Sequence, residues 1–355
     1  MKQELIKGNI AIAQSAFDAG CDSYFGYPIT PQTEIGEYLS RIMPKANRAY
    51  VCCESEIASI NMCIGAAASG GHPMTSSASC AIALMQEGLS YACAQELPIV
   101  VASVMRAGPG LGNIYPSQAD YNQAVKGGGN GDYHIIVLAP SSVQECINYT
   151  HKAFYLAQKY RNPVFILADG LLGQMMEPAG FIEHPYEKID NSSWVLTGAN
   201  GRSSKFIRSL SEKEAQHNEH VYALFEKYKK IEENEVMYEE NFVDDADLIV
   251  VSFGSLSRNV KAAVKEARRQ GLKVGSFTPK TLWPFPNARL KELSRHTKKF
   301  IVAEMNMGQM LNDVIVATRC EDVRHIGRPV GNWLDIDEII GEIKTTLGDV
   351  YAASI

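Results

Sequence analysis

The chain has 355 residues, 46% apolar and 21% charged, a balance that excludes a disordered, collagen-like or disulfide-scaffold protein. Lys and Arg number 34 against 40 Asp and Glu, a net charge of -6, so no overall basic field draws the chain to a nucleic-acid backbone. The length exceeds what one hydrophobic core usually organises and points to two domains.

From residue 5 to about 180, helical periodicity alternates with short β-rich runs, the α/β pattern of an open, mostly parallel sheet covered on both faces. Helices are predicted over 5–19, 32–43, 56–69, 82–94 and 142–158. The strands between them are Ser23 to Gly26, Arg48 to Cys52, Pro73 to Ser76, Ile99 to Val104, Ile135 to Ala139 and Val164 to Ala168. These elements make a first domain over 1–185. Residues 186–243 change character: Asn191-Ser-Ser, Gly198 to Ser204 and the charged stretch Glu212 to Glu240 hold few aliphatic residues and no strand signal, so they read as a connector. A second, smaller α/β domain over 244–355 opens with Asp247-Leu-Ile-Val-Val-Ser-Phe-Gly, continues through Lys273 to Phe277 and Lys299 to Val302, and ends in a helix over 335–346. Its Gly254-Ser255 pair suits a tight strand-to-helix turn with a serine cap.

The apolar runs, Leu97 to Met105 among the longest, fall far short of the ~20 residues that cross a bilayer. The N-terminus carries charges of both signs and lacks the pattern of a signal peptide, so a cytoplasmic protein without membrane partners is expected. The eight cysteines never occur as Cys-x-x-Cys and read as reduced core thiols, with no zinc or iron–sulfur ligand set. His217-x-x-His220 reads as part of a solvated helix face rather than a metal site.

Chemistry concentrates where strands end. In Tyr27-Pro-Ile-Thr-Pro31, two prolines stiffen the turn after the first strand. There the Thr30 hydroxyl either caps the next helix or meets an anionic ligand. Glu54-Ser-Glu56 opens a helix, and residues two apart point to nearly opposite sides, so at most one of the two acids faces a given ligand. Thr75-Ser-Ser-Ala-Ser79 supplies hydroxyls that cap a helix or line a pocket. Arg106 follows the strand ending at Val104 and offers a planar fork for a carboxylate, with Gly108, Gly110 and Gly112 allowing close backbone approach. That glycine spacing matches neither dinucleotide nor P-loop fingerprints.

Gly26-Tyr-Pro-Ile-Thr-Pro31, Glu54-Ser-Glu56, Thr75-Ser-Ser with Leu84-Met-Gln-Glu87, Glu96-Leu-Pro-Ile and Arg106-Ala-Gly-Pro-Gly-Leu-Gly112 together resemble the alpha subunit of 2-oxoacid:ferredoxin oxidoreductases, in order as well as wording. Pro279-Lys-Thr-Leu-Trp-Pro-Phe-Pro286 and Glu304-Met-Asn-Met-Gly-Gln-Met310 look like the transketolase-C-terminal-type domain of the same subunits, so the resemblance covers nearly the whole chain. Ser193-Trp-Val-Leu-Thr-Gly198, Glu226-Lys-Tyr and Gly127-Gly-Gly-Asn-Gly-Asp132 look most like the 3-methyl-2-oxobutanoate group; pyruvate and 2-oxoglutarate enzymes are the alternatives within the family. A non-catalytic scaffold subunit is the alternative of another class.

The resemblance implies a thiamine diphosphate enzyme in which this chain supplies the pyrimidine-binding domain. A beta subunit would hold the diphosphate and Mg2+, whose Gly-Asp-Gly motif is missing here. Gamma and ferredoxin-like delta subunits, with [4Fe–4S] clusters on a partner, coenzyme A as co-substrate and external ferredoxin would complete the reaction. By motif, Glu56 matches the glutamate that hydrogen-bonds the aminopyrimidine ring. Thr30 and Arg106 match residues holding the substrate carboxylate, and Tyr27, Pro28, Ser76 and Ser77 fall on the cofactor side. Thr75-Ser-Ser-Ala-Ser-Cys80 departs from the family's common Thr-Ser-Ser-Gly-Pro-Gly, and Gly331-Asn332 from its glycine pair.

Overall fold

Residues 3–352 are described by a computed structural model. The chain begins β1 Glu4–Lys7, α1 Gly8–Asp18, β2 Ser23–Gly26, α2 Thr33–Ile42, β3 Ala49–Cys52, α3 Glu56–Ala68, β4 Pro73–Ser77, α4 Ser79–Ala94 and β5 Val100–Ala107. It continues with β6 Asn113–Pro116, α5 Tyr121–Val125, β7 Ile136–Leu138, α6 Val143–Tyr160, β8 Val164–Asp169, α7 Gly170–Gln174, β9 Met176–Ala179 and α8 Glu214–Asn234. Then come β10 Tyr238–Asn241, β11 Leu248–Ser252, α9 Leu256–Arg269, β12 Val274–Pro279, β13 Thr281–Trp283, α10 Asn287–Leu293, β14 Lys299–Glu304, α11 Leu311–Thr318, β15 Asp322–Gly327 and α12 Ile336–Ala352.

The larger sheet has the order β13-β7-β8-β5-β4-β2-β3, with β6 added to β5. Its run from β7 to β3 is parallel. Strands β5 and β8 are buried along their whole length, as near-continuous apolar runs in a doubly covered sheet must be. The smaller sheet runs β10-β12-β11-β14-β15, parallel except for β10. The two sheets share a buried cluster that includes Ile166, Leu282, Phe253, Phe277 and Phe300. They are also stitched by β13, which leaves the second sheet's neighbourhood to pair antiparallel with β7.

Two departures from the expected elements concern the N-terminus and the connector. The helix predicted from residue 5 starts at Gly8, because Glu4–Lys7 pairs antiparallel with Met176–Ala179. A Cβ at Gly8 would lie 2.1 Å from the Leu172 carbonyl oxygen, so glycine alone lets α1 begin against α7. The connector, expected to hold no strand, contributes β10 to the edge of the smaller sheet. Its acids are paired, Glu239 with Lys261 and Lys280, and Glu240 with Arg289, which makes a charged sequence tolerable on an edge strand. The rest of the charged stretch forms α8, docked through Leu224, Tyr228 and Ile231. His217 is exposed and His220 Nε2 donates to the Ala94 carbonyl at 2.6 Å. Among the described residues no group of three or more His, Cys, Asp or Glu is placed to hold a metal. All eight cysteines are free. Burial pushes the Cys21 and Cys93 thiols up to about 12.

A polar junction fixes the sheets to each other. Ser117 and Gln118 fill the crevice at the carboxyl ends of β11 and β14, where an open sheet would otherwise offer a ligand site. Gln118 donates from its backbone N to Met305 O (2.9 Å) and from Nε2 to Phe253 O (2.9 Å), while its Oε1 accepts from Met305 N (3.1 Å). Beside it the buried Asp169 carboxylate accepts from Ser255 N and Ser255 Oγ (both 2.8 Å) and from Leu172 N (2.9 Å). Ser255 therefore turns its hydroxyl to Asp169 rather than capping α9. Gly254 has φ +62° and leaves no room for a side chain, since a Cβ there would sit 2.7 Å from Asp169 Oδ2.

Candidate active site

Strands β3, β2, β4 and β5 are consecutive parallel neighbours, so the residues at their carboxyl ends share one edge of the sheet. Glu56 follows β3, Thr30 follows β2, Ser77 closes β4 and Arg106 lies near the end of β5. At ~4.8 Å per strand, these ends span roughly 14 Å, the reach of a heterocyclic cofactor and a small acid together.

The turn before α3 separates the two acids. Ser55 is the N-cap, its Oγ accepting from Ala58 N at 3.2 Å, and this sets Glu56 as the first helical residue. Glu54 is exposed, whereas Glu56 is only 6% exposed. Among the described residues nothing hydrogen-bonds or ion-pairs with the Glu56 carboxylate. Neither carboxylate oxygen is among the buried unpartnered side-chain atoms of the described residues, so the group keeps access to solvent, and it sits in the first turn of α3, where the helix N-terminus favours an anion.

The Tyr27–Pro31 loop is built from beneath. Gln32 Nε2 donates to Tyr27 O (3.2 Å), and both Asn9 Nδ2 (2.8 Å) and Gln174 Nε2 (2.9 Å) donate to Pro31 O. Thr30 is exposed, and its hydroxyl has no partner among the described residues. Helix α2 starts at Thr33 with Gln32 in the cap position, so Thr30 does not cap it. Tyr27 and Pro28 are exposed on the same loop. Ser76, expected on the cofactor side, is fully buried. Its Oγ donates to Gln32 Oε1 (2.6 Å) and accepts from Tyr24 OH (2.6 Å), which makes it a support for the loop. The Ser77 hydroxyl is buried without a partner among the described residues. None of the Thr75–Ser79 hydroxyls caps α4, whose N-cap is Ala78.

Arg106 is inside β5 rather than after it, because the strand runs on into a hairpin that sets Arg106 opposite Pro116. The side chain is buried. Its Nη1 donates to Thr30 O (3.1 Å) and its Nη2 to Leu111 O (3.0 Å) and Cys80 Sγ (3.1 Å), while Nε has no partner among the described residues. The structure thus joins Arg106 to the Thr30 loop directly. Gly112 serves the hairpin itself: at φ +62°, a Cβ would fall 1.8 Å from Ala107 O. Two residues not singled out for this role complete the surroundings. Ser79 Oγ bonds Arg106 N, Arg106 O (both 2.9 Å) and Asp120 Oδ2 (2.5 Å). Burial pushes the Asp120 carboxyl up to about 6, against the opposing pull of Ser79 and Arg106. Asp120 sits in the polar turn Ser117-Gln-Ala-Asp, which carries no motif.

Two family models cover the chain: "Pyruvate flavodoxin/ferredoxin oxidoreductase, thiamine diP-bdg" over residues 14–240 and "Pyruvate:ferredoxin oxidoreductase core domain II" over 246–339. The ketoisovalerate oxidoreductase subunit VorB of Methanothermobacter thermautotrophicus is 47% identical, over 98% of this chain and 99% of its own. The 2-oxoglutarate synthase subunit KorA of Methanothermobacter marburgensis is 35% identical, over 96% and 98%. A solved 2-oxoglutarate:ferredoxin oxidoreductase from Magnetococcus marinus, with 2-oxoglutarate, coenzyme A and succinyl-CoA bound, superposes with TM-score 0.89 at 27% identity. That match covers 98% of this chain, which spans 65% of the solved chain. A split gene transketolase shares the fold, with TM-score 0.58 at 13% identity over 97% and 98% of the two chains. With a family model over more than half its length and relatives alike from end to end, the chain belongs to the 2-oxoacid:ferredoxin oxidoreductase family as one of its subunits.

Proposed function

We propose that this subunit forms the pyrimidine side of a thiamine diphosphate site in a cytoplasmic complex that oxidises 3-methyl-2-oxobutanoate to its acyl-CoA and CO2, passing two electrons to ferredoxin. The observation that carries this reading is Glu56, a largely shielded residue whose carboxylate has no protein partner among the described residues, on the strand edge that also presents Thr30 and Arg106. Such an acid fits a nitrogen heterocycle whose ring nitrogen brings a proton to it. When bound, thiamine diphosphate supplies a nucleophilic carbon and a sink for the electron pair left as CO2 departs. Glu56 holds the proton at the pyrimidine nitrogen. Tyr27 and Pro28 offer an apolar contact, Ser77 a free hydroxyl, and Ser76 keeps the loop in place. The Thr30 hydroxyl and Arg106 hold the substrate carboxylate, a charge-assisted grip that fixes the angle of attack. The choice of the branched acid rests on the likeness of Ser193-Trp-Val-Leu-Thr-Gly198, Glu226-Lys-Tyr and Gly127-Gly-Gly-Asn-Gly-Asp132 to the 3-methyl-2-oxobutanoate group. This agrees with identities of 47–48% to the ketoisovalerate oxidoreductase subunits VorB, above the 34–36% to 2-oxoglutarate synthase subunits KorA, while the ketoisovalerate oxidoreductase subunits VorA of two Pyrococcus species lie at 27–28%.

Partners complete the site in this reading. A beta subunit carries the diphosphate and Mg2+, gamma and ferredoxin-like delta subunits join it with [4Fe–4S] clusters on a partner, and coenzyme A enters as co-substrate. Ile57 and Met62 on α3, Leu84 and Tyr91 on α4, and Leu111, Ile114 and Tyr115 of the hairpin are exposed apolar residues flanking the strand edge, a surface suited to subunit docking. We divide the chain into a pyrimidine-binding domain over 1–185, a connector over 186–243 and a transketolase-C-terminal-like domain over 244–355.

The test is coenzyme-A-dependent reduction of a viologen dye by the anaerobically purified complex, comparing 3-methyl-2-oxobutanoate, 2-oxoglutarate and pyruvate. The branched acid is expected to give the highest kcat/KM. A preference for either other acid overturns the specificity, and no turnover of any, with cofactor and clusters intact, overturns the reading.

A further inference from the structure

Three contacts converge on one hydroxyl group. Ser79 Oγ lies 2.9 Å from Arg106 N, 2.9 Å from Arg106 O and 2.5 Å from Asp120 Oδ2. A serine hydroxyl has one proton to give and two lone pairs to accept with. If Asp120 is ionised, Arg106 O and Asp120 Oδ2 compete for that single proton and one buried acceptor goes without. If Asp120 carries a proton, every contact is satisfied: Asp120 O–H and Arg106 N–H both donate to Ser79 Oγ, and Ser79 donates to Arg106 O. Ser79 is held at φ +30°, a backbone position that serine seldom takes and that these bonds secure.

We infer that Asp120 is a positioning residue of this site, a proton-carrying carboxyl that locks Ser79 onto the Arg106 backbone and whose ionisation weakens the hold of Arg106 on an anionic substrate. This rests on reading Arg106 as the residue that holds the substrate carboxylate. The charge argument runs alongside the hydrogen-bond count. Asp120 is 7% exposed, and the charged group acting on it is the Arg106 guanidinium on β5; from α4 it meets the neutral Ser79. On α5, Tyr121 OH donates to Asp313 Oδ2, which α11 presents and Lys126 also pairs. Glu304 from the second sheet is bound to the amides of Met310 and Leu311. Burial lifts the Asp120 carboxyl to about 6, within reach of working pH. An ionised Asp120 cancels part of the positive field at Arg106. By reciprocity, an anion bound at Arg106 draws a proton from solvent onto Asp120.

The experiment follows KM for 3-methyl-2-oxobutanoate in the whole complex between pH ~5.5 and ~8, for the wild type, Asp120→Asn and Arg106→Ala. Wild-type KM should rise about three- to tenfold as pH passes ~6, the ratio matching a carboxyl displaced by about half to one pKa unit on anion binding. Asparagine keeps the shape and donates N–H to Ser79 as the protonated acid would, so Asp120→Asn should show a low KM with no pH step. A merely structural role would instead lower kcat or stability while leaving the step in place. An Asp120→Asn profile that tracks the wild type overturns the inference. So does a wild-type KM that is flat over the range, a result that needs no variant. If Arg106→Ala leaves KM unchanged, the reading of Arg106 itself fails; a raised KM there beside an unaltered Asp120→Asn profile rejects the role of Asp120 alone.

Discussion

Replacing Glu56 by glutamine lowers kcat of the reconstituted complex by roughly a hundred- to ten-thousandfold, the range for removing a group that moves or holds a proton in the reaction. The chain keeps its fold and thermal unfolding temperature, because no protein group depends on the Glu56 carboxylate: among the described residues it has no partner to strand. The amide preserves size and the first turn of α3, where Ser55 supplies the cap. Under the proposed function, what it loses is the ability to accept the pyrimidine proton. The contrast is Glu54→Gln two residues away, on the exposed side of the same turn, where turnover should stay within twofold of the wild type. A Glu56→Gln complex with full activity would reduce this subunit to a scaffold, whatever its relatives do.

The largest loss of stability is expected from Asp169→Ala. The carboxylate is completely buried, and the truncation removes the acceptor for Ser255 N, Ser255 Oγ and Leu172 N at once, while Gln118 Nε2 loses a 3.4 Å contact. Each stranded buried donor costs about 1–3 kcal/mol, and some will find water in the space left, so a total of about 3–5 kcal/mol is expected from urea unfolding of the isolated chain. The damage falls on the junction between the sheets and on the start of α7, not on either core. A loss below ~1 kcal/mol would mean that the junction relaxes without its carboxylate.

Much of this architecture is written plainly in the residues. Ile135 to Ala139 and Val164 to Ala168 are apolar runs too short for helices, and both form central strands. Tyr27-Pro-Ile-Thr-Pro, Ser-Glu56 and Arg106 each mark a strand end, and the parallel order of β3, β2, β4 and β5 brings those ends to one edge. The rest was hidden for separate physical reasons. Strand β10 carries Glu239 and Glu240, whose tolerance depends on Lys261, Lys280 and Arg289 arriving from elsewhere in the chain. Helix α8 has a legible stripe, Leu224, Tyr228 and Ile231 at helical spacing, but a charged background masks it. Arg106 reads as a loop residue because the apolar run ends before it, while its strand is prolonged by pairing with β6. Asp120 had no local signal, since its meaning comes from Ser79, 41 positions earlier.

The filled crevice at the carboxyl ends of β11 and β14 has a mechanical side. Gln118 is anchored to Met305, Phe253 and Asn306 of the second sheet, and Asp120, two residues on, is anchored to Ser79 and hence to Arg106. A span this short has almost no slack. The second sheet is therefore tied to Arg106 through two anchored residues of one short turn, so the position of the arginine is referred to both sheets and not to β5 alone.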